Sequence, residues 1–133
     1  MITADQVLCH VIGDYLLQSD WIASTKTRRS DSALLHATLY TLSFVLLTRS
    51  APALALIAGS HFVIDRWRLV RYVVWAKNWL SPVPYKSWQE CRATGFVPEH
   101  PAWLTFWLDV IVDNTLHILL NGWVLTTLGR RGR

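Results

Sequence analysis

The chain has 133 residues, room for one domain but not for two comfortable ones. Hydrophobic residues make up 52% and charged residues only 17%, with mean hydropathy +0.25, a balance that points towards a membrane protein. The net charge of +4 does not favour nucleic acid, because the basic residues sit beside apolar segments as they do at the edges of membrane helices. Two cysteines, Cys9 and Cys91, make no spacing motif, which excludes a disulfide framework and a CxxC metal site.

Four helical segments are expected in chain order. The first runs from Thr3 to Thr25. Its opening, MITADQ, has no basic n-region, and His10 and Asp14 interrupt its apolar stretch, so it is not expected to be a cleavable signal peptide. The polar segment KTRRSDS follows, with Ser30 or Asp31 as a cap for a second helix over Ser32 to Thr48. RSAP, residues 49–52, predicts a tight turn with Pro52 in the first turn of a third helix. That helix is apolar from Ala53 to Ile64. It then turns basic (Arg66, Arg68, Arg71, Lys77) with Trp67, Trp75 and Trp79 interleaved, until SPVP at 81–84 ends it. Residues 81–100 predict an interfacial connection with a short helix near Lys86 to Arg92. A fourth helix runs from Pro101 to Leu128, and 129–133 form a basic tail. The expected fold is therefore all-α: a single domain over 1–128, an integral membrane antiparallel bundle of about four helices in the inner membrane. The first helix is the least certain to cross, since it carries Asp5, His10, Asp14 and Asp20.

Each helix carries polar residues at helical spacing. HVIGDYLLQSD puts His10, Asp14 and Gln18 four apart, hence on one helix face. His36 stands in the second helix with Tyr40 and Ser43 on roughly its side. His61 and Asp65 repeat the His-x-x-x-Asp spacing in the third, and Asp109, Asp113 and His117 form a stripe in the fourth, with Asn121 one turn on. An ionisable group at bilayer depth costs a few kcal/mol, about +2.5–3.5 on insertion scales, unless paired or hydrated. Four helices that all carry them predict a shared polar His/Asp interior. Imidazole and carboxylate suit one or two divalent ions such as zinc or manganese. His10, Asp14, His36, His61, Asp65, Asp113 and His117 are the candidate ligands, and Asp14, Asp65 and Asp113 the candidate catalytic carboxylates. A core histidine or an intrahelical His–Asp hydrogen bond would explain single members as well.

These blocks also resemble a known family. HVIGDYLLQSDWIASTK resembles the opening motif of a bacterial and phage family of small membrane proteins, domain of unknown function 3307, with His10, Asp14, Gln18, Trp21 and Lys26 in the motif positions. LLHATLYTL is similar to its second-helix histidine block (His36), HFVIDRWR to its His-x-x-x-Asp-basic block (His61, Asp65), and DVIVDNTLHILL to its last helix (Asp113, His117). The resemblance supports the fold picture and implies no activity, since the family's function is itself unassigned. A looser likeness in style to small membrane metal-dependent hydrolases is analogy only.

The leading expectation is a membrane-embedded metal-dependent hydrolase acting on a membrane-accessible ester or phosphoester, with membrane lipid as partner. Gln18, Lys26, Arg66 and Arg68 are candidate substrate contacts. Two alternatives stay open: a small proton or metal-ion transporter or channel subunit, which would form a homo-oligomer, and a non-catalytic accessory protein of a phage or its host. No P-loop, dinucleotide glycine pattern or Ser–His–Asp arrangement is present.

Overall fold

Thr3 starts the first helix: its Oγ1 accepts a hydrogen bond from the Gln6 amide at 3.3 Å, a side-chain N-cap. The computed structural model describes residues 2–129, and over these it holds seven α-helices and no strand. Helix α1 (Ala4–Val11) runs straight into a π-helical turn, Ile12–Leu16, where the Leu17 amide reaches back five residues to the Ile12 carbonyl at 3.0 Å. The single helix expected over Thr3 to Thr25 therefore breaks. Ser19 is extended, and its Oγ accepts from the Ile22 amide to cap a separate helix, α2 (Asp20–Thr25). Gln18 falls in the link between them, off the helical face that its spacing from Asp14 suggested.

Helix α3 (Ser30–Phe44) and helix α4 (Ala51–Trp67) form the expected antiparallel pair. Arg66, near the end of α4, bonds Ser30 at the start of α3, while Phe44 at the end of α3 packs with Ala53 at the start of α4. Pro52 sits in the first turn of α4, where a missing amide proton costs nothing. The third helix expected from sequence ends early. Arg68 takes φ 50°, and a new helix, α5 (Val70–Asn78), begins two residues later. Helix α6 (Trp88–Cys91) opens with a reciprocal capping box between Ser87 and Glu90. Helix α7 (Ala102–Thr127) follows Pro101.

The chain forms two compact units. One takes in the chain up to Trp67 together with the part from His117 onward, and the other is Arg68–Leu116. The first is centred on Cys9, Tyr40, Phe44, Ala53, Ile57 and Val124, all buried. Its larger apolar members contribute about 1.5–3 kcal/mol each by leaving water. Gly13 is required there: a Cβ would stand 2.5 Å from Tyr40 Cδ2, so only glycine lets the π-helical turn lie against α3. The second unit buries Val70, Val74 and Phe96, with Leu108 and Val112 against them. Within it Gly95 has φ +86°, and a Cβ would collide with the Arg71 carbonyl. A Lys86–Glu99 ion pair on its surface raises the Lys86 pKa and lowers that of Glu99, chiefly through their shared hydrogen bond. Cys9 and Cys91 are free and buried.

Among the described residues only α7 is long and apolar enough to cross a membrane, with 26 residues and mean hydropathy 1.2. At about 1.5 Å per residue it spans about 39 Å, more than the ~30 Å hydrocarbon core. Helices α3 and α4 have 15 and 17 residues, about 22 and 26 Å on the same rise, so four full crossings are not what the helix lengths provide. The turns after Phe44 and at Arg68 are what shorten these helices. The tail residues 130–133 lie outside the described residues.

Candidate metal centre

The π-helical turn carries Asp14 inward, and the antiparallel pair α3–α4 brings His36 opposite His61 and Asp65. The C-terminal half of α7 adds His117. All five side chains belong to the first unit and are buried, with relative exposures of 0–8%. Helical spacing explains why α4 supplies two of them: His61 and Asp65 are one turn apart.

Four of their donor atoms, those of Asp14, His36, Asp65 and His61, form a closed ring. His36 Nε2 lies 3.2 Å from Asp14 Oδ1 and 3.2 Å from Asp65 Oδ2. His61 Nε2 lies 3.3 Å from Asp14 Oδ1 and 3.2 Å from Asp65 Oδ2. His117 Nε2 approaches the other oxygen, Asp65 Oδ1, at 3.4 Å. Two triads, Asp14–His36–His61 and His61–Asp65–His117, each offer ligand atoms within 4.8 Å of one another.

These separations fit ligands around a metal ion as well as they fit long hydrogen bonds. Asp14 Oδ1 and His61 Nε2 are buried and make no hydrogen bond, although each has the other at 3.3 Å. An unsatisfied buried polar atom costs about 1–3 kcal/mol, so two facing each other need a third party. Donors bound tetrahedrally at about 2.0–2.1 Å stand about 3.3–3.4 Å apart, close to the edges of this ring. The imidazole nitrogens and carboxylate oxygens are donors that could hold a divalent metal ion. A neutral imidazole has one lone pair, so His61 Nε2 serves one ion at a time, and one divalent charge balances the two aspartates.

A polar shell holds the ring in place. The Tyr40 ring stacks on His61 at a centroid distance of 3.7 Å and an interplanar angle of 17°. The Tyr40 hydroxyl accepts from Asn121 Nδ2 at 2.6 Å and is hydrogen-bonded to His10 Nδ1 at 2.8 Å. His10 Nδ1 is in turn 3.3 Å from Asp14 Oδ2. His10 thus braces Asp14 from behind and belongs to neither triad. Gln6, one turn before His10, donates to the Ile118 carbonyl at 2.6 Å and ties α1 to α7.

Lys26, in the link after α2, is the cation of the cluster. Its Nζ donates to Asp65 Oδ2 at 2.7 Å and lies 3.2 Å from His36 Nε2. Its side chain is 18% exposed and that of Asp14 10%, against 0–4% for His36, His61, Asp65 and His117, so the site meets its surroundings at the Asp14–Lys26 edge. Arg66 faces the backbone of the same link: Nη1 donates to the Thr27 carbonyl at 2.9 Å and Nε to Ser30 Oγ at 3.1 Å.

Of the ligands anticipated from sequence, Asp14, His36, His61, Asp65 and His117 come together. Asp113, one turn before His117 on α7, is half-buried and in neither triad. Among the anticipated substrate contacts, Lys26 sits on the ring, Arg66 holds the link that carries it, and Gln18 lies between the first two helical segments with its Oε1 buried and without a hydrogen bond. Arg68 belongs to the second unit and lines a cavity of about 480 Å³ there with Glu90, His100 and Asp109. Sequence spacing did not single out Gln6, although it extends the His10–Asp14 line by one more interval of four.

The profile of a family described as protein of unknown function (DUF3307) matches residues 2–120. The chain belongs to that family. No curated protein and no solved structure matches it. The DUF3307 match takes in the four ring residues Asp14, His36, His61 and Asp65, with His117, Lys26 and Tyr40, and stops one residue short of Asn121.

Proposed function

We propose that this DUF3307 protein is a membrane-embedded hydrolase with one divalent metal ion, acting on an ester or phosphoester that the bilayer presents. The observation that carries this reading is the buried ring of Asp14, His36, His61 and Asp65, whose four successive separations are 3.2–3.3 Å. A divalent ion there would polarise a carbonyl or phosphoryl oxygen and bring the pKa of water towards neutrality. The protein's own part is positional. Tyr40 fixes the plane of His61 by stacking, and His10 orients Asp14. Asp14, the less deeply buried of the two ring aspartates, is the carboxylate placed to take a proton from an incoming water. The membrane setting is supported by α7 and by large apolar side chains exposed on other helices, Leu8 and Leu16 on the first two segments and Leu34 and Leu42 on α3 among them.

Elemental analysis of detergent-purified protein tests the proposal, with wild type beside His61→Ala. About one zinc or manganese per chain is expected in the wild type, and a loss of most of it in His61→Ala, because His61 belongs to both triads. Hydrolysis of p-nitrophenyl esters and phosphoesters should follow the metal content. Metal-free wild type purified without chelator sinks the metal reading. Metal or proton flux into liposomes from a protein that turns over no ester or phosphoester would make it a transporter instead.

A further inference from the structure

Lys26 draws on two of the ring's four donor atoms. Its Nζ is 2.7 Å from Asp65 Oδ2 and 3.2 Å from His36 Nε2, and those two atoms are 3.2 Å from each other. An ammonium has three donors and no acceptor, so a hydrogen bond to His36 uses the Nε2 lone pair that a metal would need. Occupation of that edge by Lys26 and by an ion bound to His36 exclude each other. The charges agree: two aspartates and Lys26 leave one negative charge, and a divalent ion neutralises the ring only when Lys26 has left it.

The placement of Lys26 is built, not incidental. Asp65 takes its ammonium, and the next residue of α4, Arg66, holds the link's backbone at Thr27 and its end at Ser30. Thr25 Oγ1 and Ser32 Oγ close the link at 2.7 Å. With the backbone fastened at both ends, Lys26 can change place only by swinging its side chain, and the Asp14–Lys26 edge, the least buried part of the site, is the way out.

Resting on the metal reading above, we infer that Lys26 is a tethered counter-cation that a divalent ion must displace from His36 and Asp65, after which its ammonium at the mouth of the site receives the anionic oxygen of a phosphoester. Metal loading and anion recognition are coupled through one side chain, and a phosphoester, not a neutral carboxylic ester, is the substrate class.

The first test uses wild-type protein in detergent. Acetic anhydride labelling of Lys26, Lys77 and Lys86, the three lysines of the chain, is followed by peptide mass spectrometry with and without Mn²⁺. Mn²⁺ should raise labelling of Lys26 several-fold and leave Lys86 unchanged. Unchanged or lower labelling of Lys26 in protein that binds Mn²⁺ overturns this inference alone. Protein that binds neither Mn²⁺ nor Zn²⁺ overturns the metal reading and this inference with it. Lys26→Met, which keeps the stem and removes the charge, should bind Mn²⁺ about tenfold tighter or more, the loss of a competitor worth about 1.4 kcal/mol. Weaker or equal Mn²⁺ binding by a folded Lys26→Met protein counts against displacement. In the Mn²⁺-loaded proteins inorganic phosphate should bind Lys26→Met several-fold more weakly than wild type, and equal phosphate affinity removes the anion-binding role.

Discussion

Tyr40 is fully buried, yet it does two separable jobs through two parts of one side chain. Its ring lies flat on His61 and sets the direction of that imidazole. Its hydroxyl joins Asn121 of α7 to His10 of α1, and so braces Asp14 from a second side. Tyr40→Phe keeps the stack and removes the hydroxyl, which leaves the Asn121 amide without its acceptor. The expected cost is about 1–3 kcal/mol of stability, measurable by denaturant or thermal unfolding in detergent. Metal content should persist in that variant, because the ring atoms keep their planes. Tyr40→Leu removes the stack as well and should lose the ion. Equal metal loss in both variants would show that the hydroxyl, not the stacking face, governs the site. Gly13 sets the same close approach from the other side, since its missing Cβ is what admits the Tyr40 ring.

Arg68 is the clearest case of an element boundary that periodicity hides. The run from Ala53 through Lys77 has no Gly or Pro inside it save Gly59, so it reads as one helix, but the backbone turns left-handed at Arg68 and a new helix starts at Val70. An L-residue in that region costs roughly 1–2 kcal/mol, and glycine is free of the penalty. Arg68→Gly should therefore be more stable than Arg68→Ala by about 1 kcal/mol, since both lose the guanidinium and only alanine keeps the strain. The reverse order of melting temperatures would contradict a left-handed Arg68. The π-helical turn hides in the same way. His10 and Asp14 are one turn apart in the sequence and adjacent in space, but the register shifts at Ile12–Leu16 and Gln18 falls off the face. Legible in the sequence were the residues whose chemistry is costly in an apolar helix: His36, His61, Asp65 and His117 stand out because an imidazole or a carboxylate is expensive among so many apolar neighbours. The roles of Lys26 and Arg66 were not legible in this way. Both sit in or beside a basic stretch that looks like a membrane-surface face, and only the fold turns one cation into the ring and the other onto a backbone carbonyl.

At the scale of the whole molecule, α7 joins the metal ring to the membrane question. His117 and Asn121 are buried on it, while Trp103, Trp107, Ile111, Leu119 and Trp123 are each more than half exposed. Trp103 and Trp123 are 20 residues apart, about 30 Å along a helix, the thickness of a hydrocarbon core. Tryptophan favours both interfaces of a bilayer, so on the membrane reading proposed above the two would mark the ends of a crossing, with Ile111 and Leu119 between them. On that reading one face of the same helix would supply the site while another met acyl chains, and the ring would lie at membrane depth, within reach of a lipid-borne phosphoester. Arginine near the centre of a crossing helix costs about 2.5–3.5 kcal/mol per residue on insertion scales. Ile111→Arg with Leu119→Arg should accordingly release the chain from membranes washed at alkaline pH or prevent its insertion, while the wild type stays with the pellet. Lys86→Glu with Glu99→Lys, which only exchanges the charges of an exposed surface pair of the second unit, should leave the partition unchanged. Wild-type protein recovered in the supernatant without detergent would remove the bilayer from the account and leave a metal ring whose substrate must arrive from water.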